Sequence, residues 1–156
     1  MKKEDEFQNN HMEHLFDMKL QYSQQAVECA PFGIKEGRII GGGNGSVEGS
    51  DIKGTIRRSN YENTVREGFC KLQIPGTIQT YDGEEILFEA RGIAINPDKS
   101  QSSKWSAAGV FHFDTGSEKY KWLNSVLAVC EGEFSMETAH ARYRAYIRPW
   151  TDKTGS

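Results

Sequence analysis

The chain has 156 residues, with 19 basic side chains against 22 acidic ones and a formal net charge of −3. That length fits one domain able to bury about two-thirds of its unfolded surface. The acidic balance lacks the clustered Lys and Arg of a nucleic-acid footprint, and no apolar run nears the ~20 residues of a membrane-spanning helix. The opening Met1-Lys2-Lys3-Glu4-Asp5-Glu6 has no hydrophobic stretch behind it, which argues against export and makes a cytoplasmic protein the expectation.

Residues 1–11 are polar and without period, so a mobile tail is expected there, with a single domain over 12–150 and a short second tail at 151–156. From Met12 the pattern changes. Met12, His14, Phe16, Met18, Leu20 and Tyr22 fall on one parity, which predicts a half-buried strand. The glycine-rich stretch from Gly37 to Gly49 and on to Gly54 predicts bulges and close backbone approach in a curved sheet, with Asn44-Gly45 as a hairpin signal.

Leu72 to Tyr81, Asp82-Gly83 and Glu84 to Ile95 read as a β-hairpin with a two-residue, positive-φ turn. In the return arm Ile86, Phe88, Ala90, Gly92 and Ala94 share one face, and Leu87, Glu89, Arg91 and Ile93 the other. A polar linker, Asn96 to Lys104, precedes a strand in which Phe111, Phe113 and Thr115 alternate with Val110, His112 and Asp114. Trp122 to Cys130 fits helix or strand, and Glu131-Gly132-Glu133 punctuates it. Glu137 to Arg148 has helix-favouring alanine and arginine, yet its strict alternation favours a strand. Short strands without amphipathic helices between them predict an antiparallel barrel or sandwich.

The order Gly37-Arg38, Gly41-Gly42, Gly49, Gly54, Thr80-Tyr81-Asp82-Gly83, Gly92, Phe113-Asp114-Thr115 and Tyr120-Lys121-Trp122-Leu123-Asn124 resembles the family catalogued as domain of unknown function 3237. The likeness runs from about Leu15 to Ile147, and Tyr-x-Trp-Leu-Asn after Phe-x-Thr is its most specific piece. The resemblance implies an all-β fold: a small antiparallel β-barrel, lipocalin-like in shape, with a central cavity, often self-associated as a homo-oligomer. It implies no settled reaction. Where such proteins tend to carry a glycine-rich segment with Asp-Trp, this chain reads Arg57-Arg58-Ser59-Asn60-Tyr61-Glu62, so a different ligand is expected if that loop lines the cavity mouth.

Several chemistries find little support. The glycine run has neither Gly-x-Gly-x-x-Gly spacing nor a following Gly-Lys-Ser/Thr, so it reads as sheet geometry and not as a phosphate cradle. Cys29, Cys70 and Cys130 are odd in number and far apart, which points to reduced, partly buried thiols. His11, His14, His112 and His140 show no paired ligand spacing. A metal would need a site assembled across strands around His112 and Asp114, and no metal or other cofactor is expected. No nucleophile elbow is present.

General acid/base chemistry is the enzymatic option. If their face looks into the barrel, Glu89 loses hydration and acts as a base while Arg91 steadies a developing oxyanion; if it looks outward, they form a surface pair. His112 and Tyr81 are the other proton-transfer candidates. Phe16, Phe88, Phe111, Phe113, Trp122, Asn124 and Tyr143 are the candidate pocket lining, with Asn124 needing backbone or ligand partners if buried. Arg142, Arg144 and Arg148 read as a solvated or subunit-facing strand surface.

Three functions remain open: a cofactor-independent isomerase, cyclase or lyase acting on a small hydrophobic or aromatic, oxygenated metabolite; a non-catalytic carrier of such a ligand; and a structural subunit of a larger assembly. Ionisable groups clustered at a cavity favour the first. A wholly apolar cavity favours the second, and a filled barrel with an apolar outer patch favours the third.

Overall fold

The computed structural model describes residues 12–22, 27–29, 37–66, 69–96, 104–135 and 137–148. The expected tails at 1–11 and 151–156, His11, and most of the Asn96 to Lys104 linker lie outside them.

The strands are β1 (Glu13–Tyr22), β2 (Val27–Cys29), β3 (Gly37–Glu48), β4 (Lys53–Arg66), β5 (Phe69–Thr80), β6 (Glu85–Ile95), β7 (Lys104–Asp114), β8 (Leu127–Ser135) and β9 (His140–Ile147), with a 3-10 helix over Lys121–Ser125 before β8. They follow the order β1-β9-β8-β7-β6-β5-β4-β3-β2, and β1 also pairs with β3. Eight strands therefore close into an antiparallel barrel, and β2 hangs on the far part of β3. Closure leaves the eight ring strands without a free edge.

Alternation sends one face of each strand inward. Ile86, Phe88, Ala90 and Ala94 of β6, Phe111 and Phe113 of β7, and Ala141, Tyr143, Ala145 and Ile147 of β9 are all buried. The first strand departs from its expected parity. Its register shifts between His14 and Phe16, so Leu15 and Phe16 are both buried while His14 turns outward and bonds Asp17 at 2.8 Å. A bulge of this kind inserts one residue and changes which side chains face the core.

Asn44-Gly45 makes no turn: both lie inside β3, opposite Gln21 and Leu20. Gly45 is there for proximity, since a Cβ would sit 1.8 Å from the Lys19 carbonyl oxygen. Gly132 likewise lies within β8 and does not end it; a Cβ there would sit 2.0 Å from the Arg142 carbonyl oxygen and 2.6 Å from the Tyr143 ring. The hairpin expected around Asp82-Gly83 is present with a longer turn. Thr80 N–H donates to Glu84 O at 2.9 Å, and only Gly83 has positive φ, at 89°. Asp82 is thus no left-handed turn residue. The ambiguous Trp122 to Cys130 segment is both things in succession, a 3-10 turn and then a strand.

One half of the lumen is filled by phenylalanine. Phe16 meets Phe111 and Phe113 edge to face at 5.7 and 6.1 Å, Phe88 meets Phe111 at 5.7 Å, and Phe111 stacks along Phe113 at 5.9 Å. Truncating such a ring costs about 3–5 kcal/mol. Leu123 of the 3-10 helix and Tyr120 just before it are also buried in the core.

Candidate functional site

Glu89 and Arg91 are on the outer wall. Arg91 Nε donates to Glu89 Oε1 at 2.7 Å, and their side chains are 63% and 39% exposed in that order, so the inward reading of that face is corrected. The cause is register: Phe88 and Ala90 pair with Phe113 and Phe111, which sends the intervening Glu89 outward opposite His112. His112 is exposed, and the two meet beside a surface hollow of about 420 Å³ that also includes Leu87, Asp114 and Thr77. Tyr81 is 75% exposed at the hairpin turn. No three His, Cys, Asp or Glu among the described residues converge as metal ligands would.

Asn124 finds its partners in backbone. Its Oδ1 accepts from Thr115 N–H at 2.8 Å and its Nδ2 donates to Thr115 O at 2.9 Å. Thr115 Oγ1 in turn donates to Glu85 O at 2.6 Å. Trp122 packs partly buried against the core. Tyr120 Oη donates to Asp82, which also pairs with Lys119; the Lys119 ammonium foremost, then the Thr80 side chain and less the Tyr120 hydroxyl, holds the Asp82 carboxyl well below its ordinary range. The Phe-Asp-Thr and Tyr-Lys-Trp-Leu-Asn segments therefore brace one region of the barrel, and the expectation that Asn124 and Trp122 line a ligand pocket gains no support from this geometry.

The arginine comb lies in a charge ladder. Arg142 stands between Lys19 and Glu133, and Arg144 between Asp17 and Glu131. A hollow of about 540 Å³ follows this outer face.

The interior holds a different set. An apolar cavity of about 20 Å³ is bounded by Leu72, Ile74, Phe88, Phe111, Cys130 and Tyr143. That is room for one water, as expected where eight strands leave an interior just wide enough for side chains. Of the expected pocket residues, Phe88, Phe111 and Tyr143 touch it; Phe16 and Phe113 lie in the filled aromatic half.

In the same half of the interior stand polar groups of which the sequence reading singled out Tyr143 alone as pocket lining. Tyr22 Oη and Tyr143 Oη lie 3.5 Å apart. Cys70 and Cys130 are free thiols, each pushed by burial up to about 11. Burial first, and the neighbouring Tyr22 second, raises Tyr143 well above the ordinary phenol value. Trp105 is 9% exposed, stacks on Phe134 at 5.9 Å, and its Nε1–H has no hydrogen-bond partner among the described residues. The signal available was parity: Trp105 shares a face with Phe111 and Phe113, and Tyr22 with Phe16 and Leu20.

A closed eight-stranded antiparallel barrel with a small apolar lumen is the class this fold defines. The chain belongs to the family described as "Protein of unknown function (DUF3237)", whose model matches residues 10–147. Among solved structures it is similar to a protein of unknown function from Clostridium acetobutylicum ATCC 824, at 23% identity and a TM-score of 0.78 over 88% of this chain and 98% of that one. It is likewise similar to a beta-barrel like protein from Acinetobacter baumannii AYE, at 20% identity and 0.78 over 88% and 94%. An enzyme from Penicillium herquei aligns at 24% identity and a TM-score of 0.63, over 87% and 93%. No curated protein matches the chain. Among the described residues no helix is long and apolar enough to cross a membrane.

Proposed function

We propose that this barrel binds a small hydrophobic, oxygen-bearing metabolite in the half of the lumen next to Tyr143. The observation that carries the reading is the asymmetry of that half. Along β6, β7 and β8 the inward positions that border the cavity are Ala90, Gly92, Ala107, Gly109 and Cys130, with Ala94 and Gly132 beside them, so between Phe111 on one side and the Trp105–Phe134 pair on the other this wall projects only small side chains. The space is taken by Leu72, Met18 and Tyr143 reaching in from the facing strands. A guest enters only if those side chains rotate aside and open the cavity toward the ~300 Å³ of a small-ligand pocket.

The wholly apolar cavity lining favours binding over acid/base catalysis. Burial keeps the Tyr143 hydroxyl and the Cys70 and Cys130 thiols protonated at neutral pH, and Glu89 and Arg91 face water. What the lumen offers a bound carbonyl is hydrogen-bond donation. The isomerase, cyclase or lyase reading therefore narrows to general-acid assistance by Tyr143 and Tyr22, and the description of the Penicillium herquei relative as an enzyme keeps it in view. A second reading, a structural homo-oligomeric subunit, is favoured by Leu87, Ile93, Ile95, Leu127 and Val129, each at least 39% exposed on β6 and β8, which flank β7 on the outer wall.

Native mass spectrometry with added N-phenyl-1-naphthylamine tests the proposal. A stoichiometric complex is expected, lost in Ala107→Leu, whose added carbons enter the cavity wall. Absence of any complex up to the solubility of the probe overturns the binding reading and leaves the structural one.

A further inference from the structure

The charge and hydrogen-bond character of the lumen restrict what it can accept. Trp105 stands two positions along β7 from Ala107, which lines the cavity, and its register partner Phe134 precedes Ala141 and Leu20 around the barrel. Its indole N–H is a donor only. A buried donor without a partner is unusual enough to require a reason. Trp105 Nε1 is such a donor.

The other polar groups of this half, the Tyr22 and Tyr143 hydroxyls and the Cys70 and Cys130 thiols, are neutral and able to donate. No Lys, Arg, Asp or Glu is buried among the described residues, and Arg91, which borders the cavity, turns its guanidinium outward to Glu89. A carboxylate guest would lose its hydration without meeting a cation, and an ammonium guest without meeting an anion, a large penalty in either case. A neutral acceptor oxygen loses little and supplies what the indole lacks.

Building on the proposed binding role, we infer that the guest is a neutral, flat molecule bearing a carbonyl-type oxygen, a ketone, quinone, lactone or ester, whose oxygen is met by Trp105 Nε1–H and the tyrosine hydroxyls. Carboxylic acids and amines of the same shape are excluded.

The test uses the full chain labelled with ¹⁵N at tryptophan and four probes of one shape: naphthalene, 2-acetylnaphthalene, 2-naphthoate and 2-naphthylmethylamine. The ketone is expected to bind about tenfold more tightly than naphthalene and to shift the Trp105 indole cross-peak, assigned by its loss in Trp105→Phe. In Trp105→Phe the ketone falls to the affinity of naphthalene, which is itself retained. Tyr143→Phe, which changes one hydroxyl, lowers ketone affinity alone and serves should Trp105→Phe not fold. Equal binding of ketone and naphthalene, or tightest binding of the acid or the amine, overturns this inference and leaves the binding role standing. No binding by any of the four overturns both.

Discussion

Asn124 clasps the main chain of Thr115 with both ends of its amide, at 2.8 and 2.9 Å, and so joins the 3-10 helix to the end of β7. Thr115 is 8% exposed, so its N–H and C=O have little recourse to water. Asn124→Ala is expected to destabilise the fold by about 1–3 kcal/mol through two orphaned backbone groups, read from urea unfolding midpoints. Asn124→Asp keeps the acceptor and loses the donor, and should fall between the two.

Asp82 makes stability depend on acid. Its carboxyl is lowered in the folded protein by Lys119, with Tyr120 assisting, so ionised Asp82 favours the fold above the unfolded carboxyl value of about 3.9. That contribution is lost as pH falls through the carboxylate range and below it. The advantage of the natural chain over Asp82→Asn should be flat from about pH 5 to pH 8 and shrink from about pH 4 downward. An advantage that instead grew on acidification would refute the assignment. Denaturant curves across that range provide the reading.

The thiols of Cys70 and Cys130 should be inert in the folded state. Burial holds Cys70 and Cys130 at about 11, leaving almost no thiolate at pH 8. Iodoacetamide at that pH is expected to modify neither in native protein and both after unfolding in urea, as read by peptide mass spectrometry. Rapid native labelling of Cys130 would mean that the lumen opens widely without a guest.

Two glycines make a matched pair of tests. A Cβ at Gly92 would lie 2.2 Å from the Ala108 carbonyl oxygen, whereas one at Gly116 would meet nothing within 4 Å. Gly92→Ala should cost about 1–3 kcal/mol or more by forcing β6 from β7. Gly116→Ala should be close to neutral. Thermal melts of the two variants decide the matter.

On the outer wall, Glu89→Gln is expected to change stability by less than about 1 kcal/mol, because its partner Arg91 is well exposed to solvent. It should also leave uptake of N-phenyl-1-naphthylamine unchanged. Loss of uptake would move the site to the hollow beside His112.

Much of the barrel was legible because period-two alternation carries strand identity and face together. Ile86 to Ala94 and Ala141 to Ile147 sort into the two faces that the alternation drew, while which face turns inward was decided only by the assembled strands. Alternation fails where an extra residue enters the strand: the register shift before Phe16 put Leu15 inside and His14 outside, and nothing in Glu13-His14-Leu15 announces it. Glycine was ambiguous for a related reason. Asn44-Gly45 reads as a turn from local chemistry, yet Gly45 answers to the backbone of Lys19, distant in sequence. The site was the least legible part. Glu89, Arg91 and His112 attracted attention as ionisable groups, whereas the interior donors, Trp105 and Tyr22, look like ordinary apolar positions until the strands are assembled.

Because β1 is seated between β3 and β9, half of its ladder depends on a segment more than a hundred positions away along the chain. Such long-range pairing is slow to form, since the entropy of bringing distant segments together is lost before their contacts compensate. During synthesis the opening strand must wait, one side unmatched, until the final strand leaves the ribosome. Until then the unmatched side of β1 is an open strand edge of the kind that pairs with other chains.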